Sequence, residues 1–173
     1  GIQWETTESA HVNITLREVE MNENLSSFTI SAVSEDGFGE MILGPTDDTG
    51  RIDARIFPGS WTFSLNRTDN NMRWVLENVT VTLAAGWAND NLTLEANRYV
   101  TVGGNLFWDL DGDGSWDFDE GIEDATVELV GDNFSQVNMT TTQYGTWTHF
   151  VPINANYTVT AIKEGFSPET VIY

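Results

Sequence analysis

The sequence predicts an all-β fold made of two tandem β-sandwich modules, and three observations support this. Apolar and polar residues alternate with a period of two along most of the chain, as they do in half-buried strands. Turn residues interrupt the alternation at intervals of about 8 to 12 residues, which is typical of sandwiches. A motif in the first half recurs in the second. A chain of 173 residues can bury one sizeable core or two small ones.

Each predicted strand is an alternating run bounded by Gly, Pro, Asn, Asp or Ser, and "SWTFSLNR" at 60–67 illustrates the pattern. In the first half the predicted strands are 11–19, 27–34, 40–46, 50–57, 60–67, 73–83 and 91–108. After an acidic stretch, those of the second half are 125–131, 135–143, 145–151, 156–163 and 169–173.

An internal repeat divides the chain. "TDDTGRIDARIFPGSWTFSL" (46–65) and "TTQYGTWTHFVPINANYTVTA" (141–161) share a threonine, a turn glycine, an apolar residue followed by proline, and an aromatic residue that opens the next strand. We expect Gly50 and Gly145 to adopt the positive φ of a tight hairpin. The prolines should end the outgoing strands, because proline donates no hydrogen bond to a ladder.

The boundary between the two modules is predicted near Arg98, which gives modules 1–98 and 99–173. Because the sequence around it has no Ser/Pro-rich spacer, we expect the last strand of the first module to run directly into the first strand of the second.

Two stretches resemble known families. The motif T-D-x-x-G followed by "FPGSWTF" resembles the carboxypeptidase regulatory-like, prealbumin-type β-sandwich. "GNLFWDLDGDGSWDFDEGIEDATVEL" is similar to the calcium-binding B-type repeats of bacterial surface adhesins. The resemblance implies tandem Greek-key modules, prealbumin-like or immunoglobulin-like, within a large exported protein. Such modules usually finish with a further strand, so the second is expected to be truncated near Tyr173.

The charge balance excludes several classes of partner. The chain has 27 acidic and 7 basic residues, for a net charge of −20, whereas a nucleic acid or an anionic membrane requires lysine and arginine. There is no apolar run long enough for direct membrane insertion. Cysteine is absent, which excludes disulfides, thiolate metal sites and cysteine nucleophiles.

Asparagine usage favours an extracellular or cell-surface location. Sequons of the form Asn-x-Ser/Thr number eight, against about three expected by chance. They begin at Asn13, Asn24, Asn66, Asn78, Asn91, Asn133, Asn138 and Asn156. The excess indicates an exported glycoprotein, and the alternative is that Asn and Thr are simply common on β-rich surfaces.

The stretch "DLDGDGSWDFDE" carries the most specific motif. Numbered from its first aspartate, it matches D-x-D-x-D-G-x5-E at every fixed position. Calcium takes about six to eight oxygen ligands, which alternate carboxylates, one backbone carbonyl and a final bidentate glutamate supply. Gly114 makes the sharp turn that such a loop needs. The predicted Ca²⁺ ligands are Asp109, Asp111, Asp113, Ser115, Asp117 and Glu120.

The segments on either side of this loop have the periodicity of strands, not of amphipathic helices. We therefore expect a mechanical staple and not a calcium switch. A solvated acidic turn and a catalytic cluster are the alternatives. Trp108, Trp116 and Phe118 are expected to pack beneath the loop, with a ligand platform as the alternative. His11 and His149 have no metal-ligand spacing around them and are expected to be packing residues.

The sequence thus predicts a non-enzymatic, calcium-stabilised structural or adhesive segment of a larger extracellular protein. Its expected partners are neighbouring modules of the same polypeptide or an unidentified surface ligand, with carbohydrate as one candidate. One alternative is a carbohydrate-binding module that uses exposed tryptophans; the candidates are Trp4, Trp61, Trp74, Trp87 and Trp147. Another is the accessory domain of an exported peptidase, which the regulatory-domain resemblance permits.

Overall fold

The computed structural model describes residues 8–132, 134–167 and 169–172. For 87–90 and 169–172 it describes the backbone only. Within these ranges all regular structure is β-strand, which confirms the predicted all-β class. None of the described residues form a helix that could cross a membrane. The chain separates into two compact units, and the division falls between Arg98 and Tyr99.

The described ranges contain twelve strands, each matching one predicted from the sequence. The first seven are β1 (Ala10–Glu18), β2 (Ile30–Ser34), β3 (Glu40–Leu43), β4 (Arg51–Ile56), β5 (Gly59–Asp69), β6 (Met72–Leu83) and β7 (Gly86–Asn105), of which β7 crosses the division. The others are β8 (Thr126–Gly131), β9 (Phe134–Thr140), β10 (Thr146–Pro152), β11 (Tyr157–Ile162) and β12 (Glu169–Ile172). As expected, β7 continues through the division without a flexible linker.

In the first unit the strands follow the order β3-β2-β5-β6-β7-β1-β4. β1 lies between an antiparallel neighbour, β4, and a parallel neighbour, β7. Ala10 pairs with Ile56 on one side and with Gly86 on the other. The strands follow one continuous hydrogen-bonded path, and the predicted Greek-key sandwich is not confirmed in this unit.

Alternation along the strands builds the core of the first unit. Val12, Ile14 and Leu16 of β1 are fully buried, as are Trp61 and Phe63 of β5. Burying one such apolar side chain contributes about 1.5 to 3 kcal/mol. This core fixes which face of β1 points inward, and Glu18, the last residue of β1, is buried on that same face.

The second unit contains a four-stranded sheet of order β12-β11-β8-β9. Separately, residues 99–105 of β7 pair antiparallel with β10. The core combines residues of both groups of strands, with Val127, Leu129 and Val159 from the sheet and Val151 from β10. The ladder between β7 and β10 places the start of the acidic loop, which follows β7.

The threonine of the sequence repeat has a structural role. Thr46 is buried, its hydroxyl donates to the carbonyl oxygen of Leu25 (2.6 Å), and it accepts from the amide of Phe28 (2.9 Å). The hydroxyl thus ties the segment before β2 to the hairpin before β4. The same bonds, at 2.6 and 2.9 Å, join the equally buried Thr141 to Ile122 and Ala125.

The turn glycines are equivalent too. Gly50 and Gly145 have φ values of 73° and 71°, which confirms the expected positive φ. The carbonyl oxygen of each accepts a backbone bond from a leucine amide, Leu16 (2.8 Å) and Leu106 (2.9 Å) respectively. A Cβ at either glycine would collide with the backbone oxygen of that leucine. Glycine is therefore required here for space as well as for φ.

Both prolines of the repeat stand at the end of an outgoing strand. β4 ends at Ile56, before Pro58, as predicted. β10 ends on Pro152 itself, one residue later than predicted, so this proline also stands at the end of its strand. Pro152 is the last residue of the ladder, where a missing amide donor costs little.

Candidate metal centre

The acidic loop lies between β7 and β8 in the second unit. The amide of Trp108 donates to the carbonyl oxygen of Glu120 (2.9 Å), and Phe107 forms an isolated bridge with Gly121. These two contacts close a loop whose interior residues are 109–119. The loop ends are therefore fixed by backbone bonds that do not involve its carboxylates.

The first unit closes its corresponding turn in the same way. The amide of Glu18 donates to the carbonyl oxygen of Glu23 (2.8 Å), and Arg17 bridges Asn24. Only residues 19–22 lie between. The acidic loop thus occupies the place of a four-residue turn and enlarges it to eleven residues.

A buried carboxylate organises the backbone at both places. Glu18 is fully buried and accepts from two amides of its own turn, at 2.6 and 3.0 Å. Glu120 is 5% exposed and accepts from the amides of Leu110 (2.7 Å) and Asp117 (3.3 Å). In the acidic loop this carboxylate therefore bridges the first and last parts of the loop.

The first half of the loop is wound around its aspartates. Asp109 accepts from the amides of Gly112 (2.7 Å) and Gly114 (3.0 Å), and both glycines have a φ of 77°. No atom lies within 4 Å of where a Cβ would stand on either glycine, so φ alone requires glycine there. The next two aspartates accept from amides two residues further on, Asp111 from Asp113 (3.1 Å) and Asp113 from Ser115 (2.6 Å).

Three carboxylates of the predicted ligand set converge. Asp109, Asp111 and Glu120 each offer an oxygen, and these oxygens lie within 4.8 Å of one another. Calcium–oxygen distances are about 2.3 to 2.6 Å, so ligands on one ion lie at most about 5 Å apart. Carboxylate oxygen is also the donor type that a hard cation prefers. These three residues fit a calcium ion.

The other three predicted ligands, Asp113, Ser115 and Asp117, lie in the same loop and are exposed. Desolvation raises the pKa of Asp117 above its ordinary value, and repulsion from Asp113 and Glu120 adds to this rise. Asp117 is thus close enough to the converging carboxylates to feel their charge. The assignment of these three as ligands stays a prediction.

The loop aromatics depart from the sequence prediction. Trp108 and Phe118 are 59% and 66% exposed, so the prediction that they pack beneath the loop is wrong. The carboxylates of the loop bond its own amides, and the two rings pack instead on residues outside the loop, Phe166 and Tyr144. Trp116 is half-buried, and its Nε1 donates to the carbonyl oxygen of Tyr144 (3.0 Å).

The tryptophans that motivated the carbohydrate-binding alternative are not exposed where they are described. Trp61 is buried, whereas Trp74 and Trp147 are half-buried and pack against the two cores. Trp4 and the side chain of Trp87 lie outside the described residues. No observation on these residues favours that alternative.

His11 has a partner that spacing along the chain did not suggest. It is buried, and its Nε2 lies 2.7 Å from a carboxylate oxygen of Asp53, on the neighbouring strand β4. His11 is thus a packing residue, as expected, but it is more deeply buried than a surface or half-buried position and is paired with a carboxylate. His149 is half-buried in β10.

The sequon asparagines lie mainly at the surface. Asn13, in β1, is half-buried, and Asn133 lies outside the described residues. The exposed ones are Asn24, Asn66, Asn78, Asn91, Asn138 and Asn156. Their side chains are accessible to a modifying enzyme.

No family model and no curated protein matches the sequence. Among solved structures, the chain is similar to the Bacillus anthracis TIE protein, at 16% identity over 96% of this chain and 31% of that one, with a TM-score of 0.41. It is also similar to the streptococcal ancillary pilin, at 13% identity over 98% and 60% of the two chains, with a TM-score of 0.41. A third is the shaft pilin SpaA from Lactobacillus rhamnosus GG, at 10% identity over 95% and 93%, with a TM-score of 0.40.

The chain spans about a third of the TIE protein chain and 60% of the ancillary pilin chain. At these identities and TM-scores the similarities carry no conclusion about function. The resemblance of the second half to calcium-binding B-type repeats is not confirmed by them and stays a prediction.

Proposed function

We propose that this chain is a non-enzymatic structural or adhesive segment of a larger extracellular or cell-surface protein, stabilised by calcium in the loop between β7 and β8. The convergence of Asp109, Asp111 and Glu120 carries the proposal. Three carboxylates held this close repel one another, and a divalent cation between them turns that repulsion into attraction.

Two further observations support the location and the architecture. Exposed sequons support an exported, glycosylated protein. The hairpin threonine and glycine recur with the same hydrogen bonds in both units, which supports a tandem of related modules. The finer architecture that we propose is a pair of prealbumin-like or immunoglobulin-like Greek-key modules.

The loop's own residues would position the ligands. Asp109 and Asp111 would hold the ion from the first half of the loop, and Glu120 from its end. The side chains of Asp113 and Asp117 and the carbonyl oxygen of Ser115 would complete the coordination. The ion supplies positive charge that joins the two ends of the loop, while the amides that already bond the carboxylates keep these oriented.

Calcium should raise the melting temperature relative to a chelator. We expect a dissociation constant of about 10⁻⁴ to 10⁻³ M, as in extracellular modules. At ten times that concentration, binding stabilises the folded state by about 1.4 kcal/mol, which shifts the Tm of a unit this small by about 5 to 10 °C. Differential scanning calorimetry in calcium and in EDTA measures the shift.

Two variants with equal charge change distinguish a bound ion from general screening. Asp109→Asn with Glu120→Gln should abolish the calcium-dependent shift. Asp119→Asn with Glu123→Gln removes two exposed charges beside the predicted ligands and should leave the shift in place. An equal melting temperature of the unaltered protein in calcium and in EDTA would refute the proposal.

A further inference from the structure

The acidic loop presents large apolar side chains to solvent. Trp108, Leu110 and Phe118 are 59%, 66% and 66% exposed, and we call these three residues the loop patch. Exposed apolar groups of this size within one loop are typical of interaction sites. The calcium site does not explain them, because none of the three offers a side-chain oxygen.

Ring contacts hold the two aromatic members of the loop patch in place. Phe118 packs on Tyr144 with 4.2 Å between ring centroids and 37° between ring planes. Trp108 packs edge-on against Phe166, with 5.4 Å between centroids and 89° between planes. Each ring therefore has one side supported by protein and presents the rest to solvent. A preorganised surface of this kind loses little conformational entropy on binding.

The segment that carries the loop patch is strongly acidic, and the one cation that the described hydrogen bonds bring to it is Lys163, whose Nζ donates to the carbonyl oxygen of Glu123 (2.7 Å). The segment 108–124 contains eight carboxylates and no lysine, arginine or histidine. Asp119, Glu123 and Asp124 are exposed and are not predicted calcium ligands. One divalent cation in the loop would leave the segment strongly negative, so an anionic ligand is repelled whether or not the ion is bound.

We infer that the loop patch, with the carboxylates around it, is a docking surface for an arginine-bearing segment of another polypeptide. A guanidinium is attracted to the face of an aromatic ring and pairs with carboxylates through its planar fork, and this surface offers both groups. The rings of Trp116 and Phe118 are inclined at 63° and those of Trp108 and Phe166 at 89°. These inclined rings do not form the flat aromatic row that would favour a sugar.

Titration of the full chain with a synthetic Gly-Arg repeat peptide tests the inference, with the binding followed by calorimetry in buffer of physiological ionic strength. The matched peptide carries citrulline, which keeps the shape of arginine without its charge, and it should not bind. Trp108→Ala with Phe118→Ala should weaken binding of the arginine peptide about 5- to 30-fold, as expected for two lost cation–π contacts. Net charge is unchanged by these substitutions, so general attraction to an acidic protein does not account for the loss.

The exposed, stacked pair Phe38 and Phe57 of the first unit provides the control variant. Phe38→Ala with Phe57→Ala should leave the affinity unchanged. If the double variant of the loop patch unfolds, Phe118→Leu keeps the apolar bulk without the ring and should still weaken binding. Equal affinity of the unaltered protein and the loop-patch variants would overturn the inference, as would equal binding of the citrulline peptide or preferential binding of a neutral oligosaccharide such as cellohexaose.

The docking surface does not depend on the calcium proposal. Titrations in calcium and in EDTA should both show binding, with somewhat tighter binding in EDTA because the loop is then more negative. Failure of the peptide to bind leaves the melting experiment unaffected, and failure of calcium to stabilise the protein leaves this titration unaffected.

Discussion

Thr46 shows how one side chain can connect two segments that are distant in sequence. Its hydroxyl donates to Leu25 and accepts from Phe28, and the side chain is 3% exposed. At a buried position the loss of either bond leaves a polar backbone group without this partner. The hairpin before β4 therefore depends on a hydroxyl group and not on apolar packing alone.

Thr46→Val should lower the free energy of unfolding by about 2 to 6 kcal/mol. Valine has nearly the same shape but leaves a buried carbonyl oxygen and a buried amide without partners, each at a cost of about 1 to 3 kcal/mol. Urea denaturation measures the loss. Thr46→Ser keeps the hydroxyl and should be much closer to the unaltered protein, so equal losses for the two variants would contradict this role.

Asp47 stabilises the same hairpin through its charge. Its Oδ1 accepts from the amide of Arg51 (2.9 Å) and from the amide and hydroxyl of Thr49 (2.8 and 2.7 Å). These bonds, the Arg51 amide above all, hold the pKa of Asp47 below its ordinary value. The folded state therefore binds the proton more weakly than the unfolded chain does.

This shift has a defined sign. A carboxyl whose pKa is lower in the folded state contributes stability above its unfolded pKa of about 3.9, and that contribution is lost as pH falls through the folded pKa. Asp47→Asn should therefore lower the Tm at neutral pH, and the difference from the unaltered protein should shrink below about pH 4. Thermal melts across this pH range measure it.

Asp48 is the control, because it is exposed in the same turn and its replacement changes the charge equally. Asp48→Asn should have little effect on Tm at neutral pH. Equal destabilisation by the two variants would show that net charge, and not the bonds of Asp47, matters in this turn. In the second unit the position of Asp47 is taken by Thr142, whose hydroxyl accepts from the amides of Tyr144 and Thr146 and carries no charge.

At the scale of elements, the acidic loop is an enlarged version of a turn that already exists in the first unit. Both are closed by the same backbone bond and the same isolated bridge, as described for Trp108 and Glu18. The strands on either side do not need the loop's interior for their pairing. The interior of the loop should therefore be replaceable.

Replacing residues 109–119 with the Val-Glu-Met-Asn of residues 19–22 should give a folded second unit without a calcium response. Trp108→Glu is included, so that the short turn keeps the carboxylate that Glu18 supplies in the first unit. In EDTA the graft should melt no lower than the unaltered protein, since it lacks the crowded carboxylates. Circular dichroism and melting in calcium and in EDTA test this.

The reciprocal graft is the matched control. Residues 109–119 placed between Glu18 and Glu23 should add a calcium-dependent shift in Tm to the first unit. A graft that unfolds the second unit in EDTA, where the unaltered protein stays folded, would show that the loop interior is required for the fold.

Strands were predictable from the sequence, but their ends were not. Apolar and polar residues alternate wherever one face of a strand is buried. This local pattern identified every strand among the described residues. The end of a strand depends on partners elsewhere in the chain. β3 stops at Leu43 and not at Thr46, because Thr46 bonds to the segment before β2. β7 stops at Asn105, because Leu106 bonds to the turn at Gly145.

The candidate site was predictable to the same extent. Spacing alone selected Asp109, Asp111 and Glu120, because a loop ligand set is local in sequence. The exposure of Trp108 and the contact of Phe118 with Tyr144 depend on residues outside the motif. No local pattern reports such contacts.

At the scale of the whole molecule, the two-part organisation followed from the repeat, whereas the sheet order did not. The repeat compares residues within one chain and so predicts a division near Arg98, and the chain divides into two compact units between Arg98 and Tyr99. Periodicity gives the buried face of a strand but not its neighbour. The parallel pairing of β1 with β7, and hence the continuous path of the first unit, therefore had no signal in the sequence.

That parallel pairing sets the order in which the first unit can fold during synthesis. β1 is made first, yet its parallel partner is the last strand of the unit, and Ala10 must wait until Gly86 has been made. Contacts of such long sequence separation form slowly, because loop closure must come before the bonds. Until then the edge of β1 that β7 will cover lies open to other nascent chains. Residues 1–86, which are made during this interval, contain 13 acidic and 5 basic residues, and this negative charge favours the separation of neighbouring nascent chains.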